Sequence, residues 1–129
     1  SRPGRLSADV SAGVLSRLDA LDVGCGTGLM GVLLRARCRG RLLGCDLSER
    51  MLAVGAKTHP GVYDSLEAAD GVEFLRARPP GSSDLVVAAD VFPYLRSLTD
   101  MLAAAQAALA RLAARLAALC TSLHAARFD

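Results

Sequence analysis

Three alternate glycines, Gly24, Gly26 and Gly28, follow the apolar run Leu21-Asp22-Val23, and an amphipathic stretch starts directly after them. Glycine takes turn conformations closed to other residues and, lacking Cβ, lets a ligand lie against the main chain. A helix entered from such a loop directs free N–H groups and the positive end of its dipole into the same space. Together these features make a cradle for a nucleotide-type ligand. A suitable carboxylate stands 18 residues beyond Gly28, where Arg41-Leu42-Leu43-Gly44-Cys45-Asp46 reads as a second short strand ending in an acid. A βαβ unit places an acid there to accept the hydroxyls of a ribose.

The same stretch, Gly26-Thr27-Gly28-Leu29-Met30-Gly31, is also a literal G-x-G-x-x-G, the dinucleotide fingerprint. In a dinucleotide site the first fingerprint glycine directly follows the strand. Here Gly24 and Cys25 intervene and Asp22 stands at the strand's end, where a pyrophosphate would meet a like charge. The pattern alone is weak, and its context must decide between the two readings.

The elements that would position these residues follow from hydrophobic period and breakers. Val10, Val14, Leu15 and Leu18 give a lead-in helix over residues 7 to 18, within a leading segment 1–20. The first strand follows, then a helix from Leu29 that ends by Gly40 as a C′ glycine. Ser48, with Glu49 in the first turn, caps a helix that stops before Pro60. A third strand lies within Val62 to Ala69, a short helix spans Gly71 to Arg78, and Pro79 to Ser83 form a turn. Asp84 to Asp90 make a fourth strand whose unbroken apolar run suits a parallel strand covered on both faces. Strand and helix alternate, which predicts an α/β, Rossmann-like doubly wound parallel sheet of order 3-2-1-4 with right-handed crossovers. The ligand then sits at the carboxyl ends of the strands, where Asp22, Gly24, Asp46, Asp70 and Asp90 fall.

Leu21 to Gly28 and Gly44-Cys45-Asp46-Leu47-Ser48-Glu49-Arg50-Met51-Leu52 resemble the first two motifs of the class I S-adenosylmethionine-dependent methyltransferases. Tyr63 to Asp70, and then Ser83 to Leu95, resemble the third and fourth cofactor-side segments of a small-molecule branch of that superfamily. The resemblance covers about residues 20 to 110 and implies S-adenosyl-L-methionine as cofactor. It implies that the loop Asp22, Gly24, Cys25, Gly26 and Gly28 cradles the methionine and ribose portion. Asp46 would accept both ribose hydroxyls, and Leu47 would cover one adenine face, with Met51 in the same segment. Asp70 would take the adenine amino group, with Gly71 and Val72 beside the ring. Asp90 and Tyr94 would face the transferring methyl group and orient an acceptor. Each acid also has a plainer use: Asp46, Asp70 and Asp90 are good helix caps at strand-to-helix turns, and Tyr94 can simply pack. No Asn-Pro-Pro-Tyr-like clamp is present, which turns the expectation away from nucleic-acid amines and glutamine; the acceptor expected is an unidentified small molecule or protein.

Composition bounds the rest. A chain of 129 residues with 52% hydrophobic and 22% charged residues is one globular domain, with 21–95 as its cofactor-binding core. The net charge of +2 gives no reason to expect nucleic acid, and the arginines from Arg35 to Arg41 suit the basic last turn of a helix. Cysteines 25, 38, 45 and 120 form no C-x-x-C pair and have no histidine at ligand spacing, so no metal is expected. They fit packed thiols in a reducing, cytoplasmic compartment. His59 and His124 adjoin no motif carboxylate and read as solvated side chains. Ser1 to Ala20 shows no signal-peptide core, and the longest apolar stretch, Met101 to Ala110, falls well short of the roughly 20 residues a bilayer needs.

After Pro93 the chain departs from the family pattern. It has no Gly or Pro through Asp129, while Leu98, Leu102, Ala105, Leu109, Leu112, Leu116, Leu119 and Leu123 recur at alternating four and three. That spacing predicts one continuous Ala/Leu helix within a helical extension, 96–129. Strands five to seven of a complete methyltransferase are then missing, the domain is partial, and the edge of strand four is open unless residues 97–123 shield it or bind a partner or a second copy. Two functions are expected in competition: a methyltransferase core, and a degenerate cofactor-binding or interaction module without activity.

Overall fold

Short runs, apolar in all but the third and each closed by a turn, form the strands of a parallel sheet. In the computed structural model, which describes residues 18–89 and 97–109, these are β1 (Ala20–Val23), β2 (Leu42–Asp46), β3 (Ser65–Ala68) and β4 (Leu85–Val87). They alternate with helices α1 (Leu29–Arg37), α2 (Glu49–Thr58), α3 (Gly71–Arg76) and α4 (Leu98–Ala108). Among the described residues the order is β3-β2-β1-β4, with every pairing parallel, as the alternation predicts. β1 is central, and its Asp22 stands in register with Gly44 of β2 on one side and Val87 of β4 on the other. All four residues of β1 and the first four of β2 are buried, which is why those runs lack a polar alternation.

Side chains alternate between the two faces of a strand. Leu21, Val23, Leu43, Cys45, Val86 and Ala88 share one core with Phe74 and Leu75 of α3 and with Met101, Ala104, Ala105 and Ala108 of α4. The α4 positions fall at i, i+3, i+4 and i+7, one helical stripe, and its three alanines let the helix approach closely. The other face follows from handedness. The chain steps from β1 to β2 to β3 in one direction, so right-handed crossovers place α1 and α2 together, and the step back to β4 puts α3 opposite them.

The structure corrects three expectations. The helix predicted to run unbroken from Leu98 to Leu123 ends at Ala108: Leu109 is extended, buried, and paired in parallel with Ser83. No breaker in the sequence marks that end. It is imposed by the turn before β4, whose Gly81 and Ser83 amides donate to the carbonyls of Ala107 and Ala108, groups left without partners at a helix terminus. Consequently the margin of β4 is not bare at its amino end, because Leu109 lies beside it. Gly40 is not a left-handed cap either. The C-cap of α1 is Cys38 in an extended conformation, and Gly40 is small because a Cβ there would overlap the Leu18 carbonyl. Finally, β4 is shorter than predicted, Leu85–Val87, with Asp84 serving the turn that leads into it, whereas β3 lies within its predicted span. The predicted lead-in helix over 7–18, apart from Leu18 itself, and Leu112 to Leu123 lie outside the described residues.

Candidate cofactor site

The loop from β1 to α1 carries positive φ at all three predicted glycines: 69° at Gly24, 56° at Gly26 and 95° at Gly28. Gly28 is the N-cap of α1, and it leaves that helix unlike the others described. Ser48, Asp70 and Ser97 cap α2, α3 and α4 through their side chains, and Glu49, Glu73 and Asp100 add an acid to each first turn. α1 has neither a side-chain cap nor an acid. Its first amides and the positive end of its dipole therefore face the loop uncompensated, a setting that favours an anionic group.

Asp46 ends β2 beside this loop. Its Oδ2 accepts the Gly26 amide at 2.9 Å and its Oδ1 accepts the Ser48 amide at 2.9 Å. A carboxylate has about four acceptor positions, so both oxygens keep capacity for a diol. The Cys25 amide donates to the Cys45 carbonyl at 2.9 Å, and the Ala69 amide to the Asp46 carbonyl at 3.1 Å, which ties the ends of three neighbouring segments together. Leu47, 65% exposed, and Met51, 43% exposed, offer apolar surface next to Asp46, and the Met51 Cε lies against Gly26. Asp70 is half-buried at the start of α3 and caps it, accepting the Glu73 amide at 3.2 Å. Gly71 lets α3 begin against Val23, where a Cβ would approach Cγ1 to 2.6 Å, and Val72 packs on the core. The structure thus brings Gly24, Cys25, Gly26, Gly28, Asp46, Leu47, Met51, Asp70, Gly71 and Val72 to one edge of the sheet. Asp90 and Tyr94 lie outside the described residues.

Asp22 belongs to the same edge but lies deeper. It is 1% exposed; its Oδ2 accepts the Tyr63 hydroxyl at 2.6 Å, and its Oδ1 is buried without a partner. Burial raises its carboxyl from the ordinary range to about 6; the Tyr63 hydrogen bond opposes the rise and the Asp46 charge adds to it. Burial also pushes the Cys25 and Cys45 thiols up to about 12, and the nearby Asp22 and Asp46 carboxylates add to it. Both stay protonated, as packed thiols rather than nucleophiles.

Tyr63 is the residue that sequence reasoning missed. Its ring fills the space left by three glycines: a Cβ at Gly44 would lie 2.8 Å from the ring, one at Gly28 3.2 Å, and one at Gly31 would overlap the hydroxyl. Burial and the Asp22 charge hold its phenol far above the usual range. A signal was present, because Gly31 in a helix and Gly44 in a buried strand cost stability unless something bulky needs the room. The neighbouring Asp64 anchors the tyrosine, its Oδ2 accepting the Leu42 amide at 2.7 Å and pairing with Arg35 at 3.0 Å. Among the described residues there is no cluster of metal-ligating side chains, and no helix is long and apolar enough to cross a membrane.

The model of the methyltransferase domain family matches residues 21–117. Among solved structures, an S-adenosylmethionine-dependent methyltransferase from Mesorhizobium loti is 25% identical, with a TM-score of 0.64 over 83% of this chain and 50% of that one. An Archaeoglobus fulgidus SAM-dependent methyltransferase, 20% identical, matches at a TM-score of 0.62 over 81% of this chain and 47% of that one. Phosphoethanolamine N-methyltransferase 1 of Haemonchus contortus, solved with phosphoethanolamine and S-adenosylhomocysteine, is 24% identical, with a TM-score of 0.66 over 80% of this chain and 22% of that one. The chain spans half or less of the length of these three structures. No curated protein matches its sequence.

Proposed function

The chain belongs to the methyltransferase domain family, and from that premise we propose that it forms the S-adenosylmethionine-binding part of a methyltransferase that acts on a small-molecule or protein acceptor. The observation that carries this reading is the Asp46 carboxylate held against the Gly26 amide, next to a helix whose amino end has no cap of its own. Those groups fit the cofactor's diol and its amino-acid carboxylate. Asp46 accepts the ribose hydroxyls through the lone pairs its two backbone bonds leave free, a bidentate, charge-assisted contact. The α1 amides receive the carboxylate. Leu47 and Met51 cover one face of the adenine, and Asp70 accepts from its amino group, with Gly71 and Val72 beside the ring. Asp22 and Cys25 support the loop from below.

The cofactor's sulfonium supplies a methyl group already activated for transfer, so the protein's remaining task is alignment of an acceptor for in-line attack. We assign that alignment to Asp90 and Tyr94, with Asp90 as the group able to take a proton. The buried free thiols of Cys25, Cys38 and Cys45 support a reducing, cytoplasmic setting.

Calorimetric titration of the chain with S-adenosylmethionine, S-adenosylhomocysteine and NAD tests the reading. Saturable binding of the first two, tighter than NAD, is expected; tighter binding of NAD overturns it. A second reading, an interaction module without activity, is favoured by Leu98 and Leu102, which are 48% and 41% exposed on α4. It predicts association through residues 97–123, with a partner subunit or a second copy, and no methyl transfer from bound cofactor to any acceptor supplied.

A further inference from the structure

Tyr63 and Asp22 form a unit that a cofactor cradle of glycines and a ribose-binding acid does not require. The tyrosine comes from the turn before β3, crosses beneath β2 at Gly44, passes under α1 at Gly31 and Gly28, and ends on Asp22 of the central strand. Three glycines, one in β2 and two in the first turn of α1, are open to admit one ring. Packing alone would be served by phenylalanine or leucine, whereas the hydroxyl of the half-buried Tyr63 places a donor on a buried carboxylate at 2.6 Å. That bond occupies Oδ2 and leaves Oδ1 as an unpaired, buried acceptor two residues before the first glycine of the loop. An unpaired buried oxygen is costly and calls for a reason.

We propose that Tyr63 is a positioning residue for cofactor binding: its hydroxyl holds the Asp22 carboxylate ionised and oriented at the foot of the Gly24–Gly28 loop, so that the strand end of the loop prefers a positively charged group while the α1 amides at its other end take an anionic one. This rests on the cofactor reading above, since S-adenosylmethionine carries an ammonium and a sulfonium. The charged and titratable groups around Asp22 are consistent with it. Asp46 at the end of β2 opposes ionisation by like charge, and Cys25 and Cys45 stay neutral. β4 contributes Val87 in register and no charge. Among these neighbours the Tyr63 hydrogen bond is the contact that favours the ionised form.

The test is the affinity of the full chain for S-adenosylmethionine from pH 5 to 8.5, with a ¹³C titration of the Asp22 carboxyl in the ligand-free protein. Wild type should lose affinity as pH falls through about 6. Tyr63→Phe keeps the ring and should move both midpoints upward, weakening binding several-fold at pH 7 and little at pH 8.5. Asp22→Asn should weaken binding and flatten the profile, and Tyr63→Phe added to it should change nothing more. A Tyr63→Phe protein that loses the same factor at every pH, or none, overturns the proposal. Should that variant fail to fold, an Asp22→Asn protein that retains the wild-type profile does so instead. Failure of wild type to bind S-adenosylmethionine at any pH sinks the cofactor reading itself, while an Asp22 midpoint that does not move in Tyr63→Phe sinks only the tyrosine's role.

Discussion

Asp46 reaches back across 20 residues of sequence to the amide of Gly26, its Oδ2 2.9 Å from that nitrogen, so the acid at the end of β2 holds the glycine loop that follows β1. One carboxylate therefore serves both the shape of the cradle and the recognition of what enters it.

Replacing Asp46 with Ala should remove both functions. A hydrogen bond to a charged group is worth about 1.5–3 kcal/mol, and every 1.4 kcal/mol is about tenfold in affinity. Calorimetry should show at least a tenfold loss for S-adenosylhomocysteine, while circular dichroism retains the helical signal because Asp46 is outside the core cluster. Unchanged affinity would take Asp46 out of the site.

Gly31→Ala tests the room reserved for Tyr63. In an ordinary exposed helix this change stabilises by up to about 1 kcal/mol. Here the new methyl overlaps the tyrosine hydroxyl, and the melting temperature should fall. In a Tyr63→Ala background the same substitution should be harmless or stabilising, so a thermal-melt double-mutant cycle reads the contact directly.

The pH dependence of stability follows from Asp22. Its carboxyl sits near 6 in the folded chain against an ordinary 3.8, so between those values the folded state binds more protons than the unfolded one. Stability from this group thus falls as pH rises from about 4 to 6, by up to about 3 kcal/mol at about 1.4 kcal/mol per unit. Urea denaturation should show Asp22→Asn gaining on wild type across that window and holding its gain at pH 7; a constant difference at all pH values contradicts the shift.

Leu109 and Leu102 share one heptad-like seam in the sequence but occupy different environments. Leu109 is buried beside Ser83, and Leu109→Asp should unfold the chain or lower its melting point sharply, since an unpaired charge cannot be buried. Leu102, 41% exposed, should accept Asp with little loss of stability. If residues 97–123 mediate association, Leu102→Asp will shift the mass measured by light scattering while the fold survives.

The parts of this molecule that were readable in the sequence are those governed by nearby residues. Alternate glycines, the Ser48 cap, the acid closing β2 and the strand–helix alternation each follow from turn chemistry or periodicity, and the sheet order follows from them through the handedness of crossovers. What escaped depends on partners distant along the chain. The Tyr63–Asp22 bond spans 41 residues, and no local pattern encodes it. Likewise α4 stops at Ala108 because Gly81 and Ser83 claim its last carbonyls, while the leucine period runs on regardless. Gly40 has the local pattern of a helix cap, yet its size answers to the Leu18 carbonyl, which occupies the place of a Cβ.

β3 is four residues long, has a neighbour on one side only among the described residues, and exposes all but Leu66. Such a margin invites another chain to add a strand. Glu67 stands in its middle, with Arg78 3.4 Å away to hold it in place. Two copies meeting there edge to edge with Glu67 opposite Glu67 would bring like charges together, so the outer strand carries its own guard against runaway aggregation.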